Sequence, residues 1–419
     1  MGSKKEIKEI KEIKEIEGGV CAAAGFKASG VRCGIKGPSS SKRDLALIYS
    51  ERPCAAAGVF TANRVKAASV LVCMERVAGG AVRAVAANSG NANACTGAAG
   101  LEAARRMTET AAEKLGIPAQ EVAVASTGVI GVPLPDFSVI AAGIGKAAEE
   151  LDVRGNRNAL EAIMTTDTAM KEGAREIEIH GKTVRLGGMA KGAGMIHPNM
   201  GTMLCFITTD AAITRPLLDK AFRQGVNRSF NRITVDGDMS TNDTALIMAN
   251  GAAGNRLLDA EDGAFALFAL ALEGLCAGLA KQIAQDGEGA SRLVTVTVEG
   301  AASEEDAAAF AKAAASSNLV KAACFGADAN WGRVLAALGR AGPPFDPACV
   351  GIAFSGGGMQ VQVCEAGAGL PFSEHDAKAA LSHKEIGIEI TLGRGPGSAA
   401  VWGCDLTYEY VRINGDYRS

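Results

Sequence analysis

The 419 residues carry 43 Lys and Arg against 46 Asp and Glu, a formal charge of −3, and 48% of them are hydrophobic. Such a chain buries a sizeable core, which excludes disorder as its dominant state, and it lacks the basic excess of a nucleic-acid surface. The longest unbroken apolar run, Ala264 to Leu272, is far short of the about 20 residues of a spanning helix, so no membrane association is expected.

The chain opens on MGSKKEIKEIKEIKEIE, residues 1–17. Five Lys and five Glu cancel, and Ile recurs every third residue, which matches neither the helical nor the strand period. The segment reads as a solvated, helix-capable tail and is set apart from the fold. It shows no secretory signal, which fits a cytoplasmic protein. From Gly18 on, β-like runs alternate with Ala-rich helical stretches. Strands are predicted over Leu45–Tyr49, Ala81–Ala86, Val122–Ala125, Thr202–Thr208, Leu293–Val298, Ile352–Phe354 and Ile386–Leu392. Helices are predicted over Gly97–Leu115, Pro135–Leu151, Thr214–Phe230, Glu261–Asp286 and Glu304–Ser317. The interleaving favours an α/β or α+β layered protein.

Several apparent motifs fail on inspection. Eleven Cys is an odd count, no Cys-x-x-Cys pair occurs, and only four His are present. A zinc site and a disulfide framework are both disfavoured, and the Cys read as small buried hydrophobes in a reducing compartment. Gly181-Lys182-Thr183 lacks the earlier Gly of a phosphate loop, since Glu176 stands there, and its alternating flanks read as a hairpin. The run Asp236 to Asn242 has Thr241 and Ile247 where a calcium loop needs Gly and Glu. Ser355 has Ala353 where a nucleophile elbow needs Gly. His197 reads as a loop or packing residue.

Residues 187–211, GGMAKGAGMIHPNMGTMLCFITTDA, carry the chemistry. The plain reading is a Gly-rich loop holding Lys191, feeding a core strand at Thr202. The chemical reading is self-cleavage. The Gly201 carbonyl is unshielded and its backbone tolerates strain. The Thr202 hydroxyl attacks it to form an ester, which water cleaves. The new N-terminal Thr then supplies nucleophile and general base together, because its α-amine has an ordinary pKa of about 7.7–8.0. No His is required.

This stretch resembles the ornithine acetyltransferase family, the bifunctional glutamate N-acetyltransferase of arginine biosynthesis. The other matching motifs are Gly58-Val59-Phe60-Thr61 with Asn63 to Ala68; Ala87 to Asn93; Ser126-Thr127-Gly128-Val129-Ile130-Gly131; Met164 to Thr168; Thr234 to Asp238 with Ser240 to Asp243; Asp286 to Ala290; and Phe325 to Arg333. They run in the family's order from about Gly18 to the C-terminus, and their combination is highly specific. The family usually has Ala before the Thr. Here Gly201, also small, takes its place.

The resemblance implies an α/β fold of layered sheets flanked by helices, built around a self-cleaving N-terminal Thr. It implies an α chain of 18–201 carrying the tail, a β chain of 202–419, and an α2β2 heterotetramer. Thr202 is the implied nucleophile, with Thr127 and Gly128 as the oxyanion hole; the residues themselves read as a Ser-Thr-Gly turn closing the Val122–Ala125 strand. Lys191, the pair Thr165 and Thr166 (with Thr166 favoured), Glu288, Asn414, Ser419 and Thr202 itself are the implied substrate contacts. Lys191 suits a carboxylate and Glu288 an ammonium. The implied reaction moves an acetyl group from N2-acetylornithine to glutamate by double displacement. No metal or bound organic cofactor is expected, and acetyl-CoA stands as an additional candidate co-substrate. The rival readings are a self-processing aminopeptidase of similar fold and a non-catalytic scaffold.

Overall fold

A computed structural model of the protein describes residues 13–197 and 203–416. Gly201, Thr202 and Ser419 lie outside the described residues, as does most of the tail.

The first half contains β1 (Lys14–Ile16), β2 (Phe26–Val31), β3 (Leu45–Ser50), β4 (Ala55–Phe60), α1 (Ala68–Ala78), β5 (Ala84–Asn91), α2 (Gly97–Leu115) and β6 (Val122–Val129). It continues through α3 (Phe137–Glu149), α4 (Asn156–Ile163), β7 (Lys171–Ile179) and β8 (Lys182–Lys191). Beyond the gap come β9 (Leu204–Thr209), α5 (Arg215–Asn227), β10 (Ile233–Thr234), β11 (Thr244–Ala249), α6 (Gly263–Gln285) and β12 (Leu293–Ala301). The rest is α7 (Glu304–Ala315), α8 (Asn318–Phe325), α9 (Trp331–Leu338), β13 (Gly351–Gly356), β14 (Met359–Glu365), β15 (Ala368–Gly369), α10 (Glu374–Leu381), β16 (Glu385–Thr391), β17 (Gly397–Cys404) and α11 (Tyr408–Asp416).

Among the described residues three sheets form, ordered β1-β7-β8-β9-β11-β4, β2-β3-β5-β6, and β10-β17-β12-β16-β13-β14-β15. Strand periodicity explains how the first two stack. In β9, Leu204 and Phe206 face the four-stranded sheet, while Cys205 and Ile207 face α5 and α6. In β5, Val85 and Ala87 join the layer between the sheets, and Ala84 and Ala86 pack under α2 and α3. Alternate side chains therefore fill different cores, and the result is four layers: helices, sheet, sheet, helices. The seven-stranded sheet buries Val296, Ile352, Phe354 and Ile388 beneath α7 to α10 in a core of its own. This is the α/β layered architecture that the sequence predicts.

The predicted helix over Gly97–Leu115 forms over those residues and stops where Gly116 turns left-handed at φ 65°. The predicted hairpin is β7–β8, turning on His180 and Gly181 at φ 49° and 70°, the backbone of a two-residue primed turn. Ser355 lies within β13 and donates to Glu389, so no nucleophile elbow exists there. Seven of the eleven cysteines are buried and all are unpaired.

Three readings need correction. Lys14–Ile16 of the tail is not helical: it pairs antiparallel with β7, which would otherwise present an open edge, and Ile13 packs on the core. The strand predicted over Ala81–Ala86 lies instead at Ala84–Asn91. Gly187 to Lys191 is strand, not loop, because the glycines serve packing: a Cβ on Gly187 would sit 1.8 Å from the Gly19 carbonyl oxygen. The helix predicted over Glu261–Asp286 forms as α6, which is long and apolar enough to cross a membrane by length and composition. Its buried face, including Phe268, Leu272 and Leu279, packs with α5, β7 and β8.

Candidate active site

Three segments distant in sequence meet above the C-terminal ends of β6 and β8. Strand β6 brings Thr127 and Gly128. Ser126-Thr127-Gly128 is not a turn, as the local chemistry predicts, but continues β6 beside β5 with Gly90 opposite Gly128. The approach is too close for a side chain: Gly128 has φ 135°, and a Cβ there would lie 2.4 Å from the Gly90 carbonyl carbon. The buried Asn242 amide ties this end down by donating to the Ala92 and Ser126 carbonyls at 2.6 and 2.8 Å. Ser126 in turn donates to Asn88 at 2.7 Å.

Lys191 ends β8 and is 2% exposed. Its Nζ donates to Thr165 Oγ1 at 2.7 Å and Thr127 Oγ1 at 3.3 Å, and lies 3.9 Å from the Asp167 carboxylate. Because the ammonium donates to the Thr127 oxygen, the Thr127 proton is left to be given elsewhere. Burial pulls the Lys191 pKa below the usual lysine range, and Asp167 opposes that pull. Burial pushes Asp167 up, but Lys191 and Lys171 outweigh it and hold the carboxyl below its usual range.

Glu288 sits in the turn after α6. Its N–H donates to the Ala193 carbonyl at 2.8 Å, and its carboxylate accepts from Asn414 Nδ2 at 2.8 Å. Gly194 lies beneath it, where a Cβ would meet Glu288 Oε2 at 2.4 Å. Asn414 comes from α11, which has no buried side chain of its own.

These residues enclose one cavity of about 80 Å³ lined by Thr127, Gly128, Thr165, Thr166, Lys191, Glu288 and Asn414. Every predicted site residue within the described part therefore faces the same space, cation at one side and carboxylate at the other. Thr165, rather than the favoured Thr166, is the one bonded to Lys191. Ile130, Gly194, Met195 and Ser240 to Asn242 also line the cavity, and sequence reasoning gave them no role. The only signal for them is membership in the quoted motifs.

Met203, the first described residue after the gap, is clamped from both sides. Its N–H donates to Asp243 Oδ1 at 3.0 Å, and its carbonyl accepts from Thr244 N–H at 3.1 Å. The Asp236 carboxylate accepts from the Met195 and Ile196 amides and so staples the loop. His197 pairs with Thr234 Oγ1 at 3.1 Å.

A model of the ArgJ family matches residues 27–419. The arginine biosynthesis bifunctional protein of Symbiobacterium thermophilum is 52% identical over 404 residues, 96% of this chain and 99% of that one. A counterpart from Clostridium acetobutylicum is 51% identical over 394 residues, 94% and 96% of the two chains. A solved chain of ornithine acetyltransferase from Mycobacterium tuberculosis, complexed with ornithine, is 42% identical, covers 46% of this chain and 100% of its own, and superposes with a TM-score of 0.42.

Proposed function

The chain belongs to the ArgJ family, and from that premise we propose that it is an acetyltransferase of arginine biosynthesis, moving the acetyl group of N2-acetylornithine to glutamate. Thr202 Oγ attacks the acetyl carbonyl, the carbon–nitrogen bond breaks, and ornithine leaves with the proton. The acetyl group waits on Thr202 as an ester until the glutamate amine attacks it, giving N-acetylglutamate and free Thr202. Thr127 O–H and Gly128 N–H receive the oxyanion of both steps.

One observation carries this reading. A buried ammonium, Lys191, and a carboxylate, Glu288, share a cavity of about 80 Å³ with the Thr127–Gly128 pair. Donor and acceptor share an α-amino acid head and differ in tail charge. Lys191 suits the carboxylate, and Glu288 with Asn414 the ammonium. Thr165 and Thr166 complete the walls, and Ser419 is assigned to the same substrate contacts. The chemistry is acyl transfer between side chain and substrate, so no metal or organic cofactor enters it.

The proposal includes self-cleavage at Gly201–Thr202 into an α chain of 18–201 with its tail and a β chain of 202–419, which pair as an α2β2 heterotetramer in the cytoplasm. Acetyl-CoA is proposed as a second acetyl donor. The deciding assay supplies acetylornithine and glutamate, with and without acetyl-CoA. Ornithine release that depends on glutamate supports the reading, whereas release of amino acids from peptide amides and no transfer would favour an aminopeptidase.

A further inference from the structure

Lys171, at the start of β7, is 1% exposed and has no place in the chemistry above. Its ammonium lies between two carboxylates, 2.7 Å from Asp167 Oδ1 and in contact with Asp286 Oδ2. Each carboxylate organises one side of the pocket. Asp167 also accepts from Gly192 N–H at 2.7 Å and Thr165 N–H at 2.9 Å, the backbone beside Lys191 and its hydroxyl partner. Asp286 caps α6, accepts from Thr168 and Ala169 N–H, and opens the turn that presents Glu288 two residues later.

We propose that Lys171 is a positioning residue for both ends of the substrate: it holds Asp167 back from Lys191 and ties the Asp286 turn, and so Glu288, to the same point. The order Asp286, Lys171, Asp167, Lys191 alternates in sign. Lys171 takes the close contact with Asp167 and leaves Lys191 a distant one of 3.9 Å. The Lys191 ammonium is thereby kept charged by a neighbouring carboxylate yet turned toward Thr165 and Thr127. Without Lys171, Asp167 has Lys191 as its only cation within ion-pair distance among the described residues, and a closed pair draws the ammonium out of the cavity. The inference rests on the substrate-binding roles proposed for Lys191 and Glu288.

The test is steady-state kinetics of the full chain with acetylornithine and glutamate varied, on Lys171→Met/Asp286→Asn, Asp286→Asn alone and Lys191→Met. The double variant removes one charge of each sign, so it avoids leaving an unbalanced buried carboxylate, and a thermal melt checks its fold. A KM increase of about tenfold for both substrates, the scale of one charge-assisted hydrogen bond, with a smaller change in kcat, is expected in the double variant. The milder Asp286→Asn, which keeps the side chain's shape, should raise KM about threefold and supplies the answer when the double variant does not fold. Unchanged KM in the folded variants while Lys191→Met raises it would reduce Lys171 to a structural ion pair. Unchanged KM in Lys191→Met as well would instead overturn the pocket assignment.

Discussion

Lys191 and Thr127, 64 residues apart, meet side chain to side chain at 3.3 Å. The contact joins the β8 end to the β6 end and puts a cation on the oxygen of a hydroxyl whose proton remains free. A hydroxyl polarised in this way is a better donor to an oxyanion than an isolated one.

Replacing Thr127 by Ala is therefore expected to act on turnover. Loss of one preorganised oxyanion donor costs roughly 2.7–4 kcal/mol, or about 10²–10³ in kcat. The substrate contacts proposed for Lys191 and Glu288 do not involve the Thr127 side chain, so KM should hold within about threefold. Steady-state kinetics decide it, since a raised KM with intact kcat would make Thr127 a binding residue.

The ionisation of Lys191 sets a pH dependence with a definite sign. Its pKa lies below the usual lysine range because burial disfavours the ammonium. Below that depressed pKa the ammonium is present, and on the proposed role it holds a substrate carboxylate. As pH rises through it, KM should rise, and it should do so at a lower pH than a free lysine would dictate. A KM–pH profile checks this. In Lys191→Met the alkaline rise should vanish and KM should be high throughout.

Asp167 carries the matching stability prediction. Lys191 and Lys171 outweigh burial and hold its carboxyl below the usual range. A depressed carboxyl adds stability above its unfolded pKa of about 3.9, and that stability is lost as pH falls through the lower native value. Asp167→Asn leaves Lys171 and Lys191 buried against one fewer charge and should cost about 3–5 kcal/mol. Urea unfolding at neutral pH measures the cost. The gap between variant and wild type should shrink in acid below about pH 4.

Which parts of this were legible beforehand follows from how local their causes are. The α2 helix is written in its own Ala-rich period and in Gly116, so its ends are readable. The β7–β8 hairpin is written in two alternating flanks around His180-Gly181. Ser126-Thr127-Gly128 misleads because its residues are turn formers, while what extends them is the pairing with β5 and the Asn242 amide more than a hundred residues away. Asp167 stands in sequence only as part of the Met164 to Thr168 motif, and nothing there singles out Lys171. Only the fold brings Asp286 against Lys171 and so buries the set.

Self-cleavage predicts two fragments of similar size on a denaturing gel, the second beginning at Thr202. The clamp from Asp243 and Thr244 holds Met203, the first described residue after the proposed cleavage bond, and the residue before that bond, Gly201, has no side chain to hinder attack. Thr202→Ala removes the attacking hydroxyl and should leave one full-length chain. A wild-type protein that stays intact through prolonged incubation would remove the basis for an N-terminal nucleophile.

The covalent intermediate is the sharpest expectation. Two substrates with the same head and opposite tail charges must be served around one nucleophile, and a single site does not readily hold both at once. Sequential occupation is then required, and the acetyl group must wait on the protein between visits. Parallel double-reciprocal lines should appear when both substrates are varied, as in a ping-pong mechanism. With acetylornithine alone, the peptide beginning Thr202-Met203-Leu204 should gain one acetyl group, and glutamate should remove it. The quench must be acidic, because an O-acetyl group beside a free amine migrates to nitrogen once the amine is deprotonated. Intersecting lines without an acetylated peptide would mean direct transfer in a ternary complex, and the nucleophile would have to be sought away from Thr202.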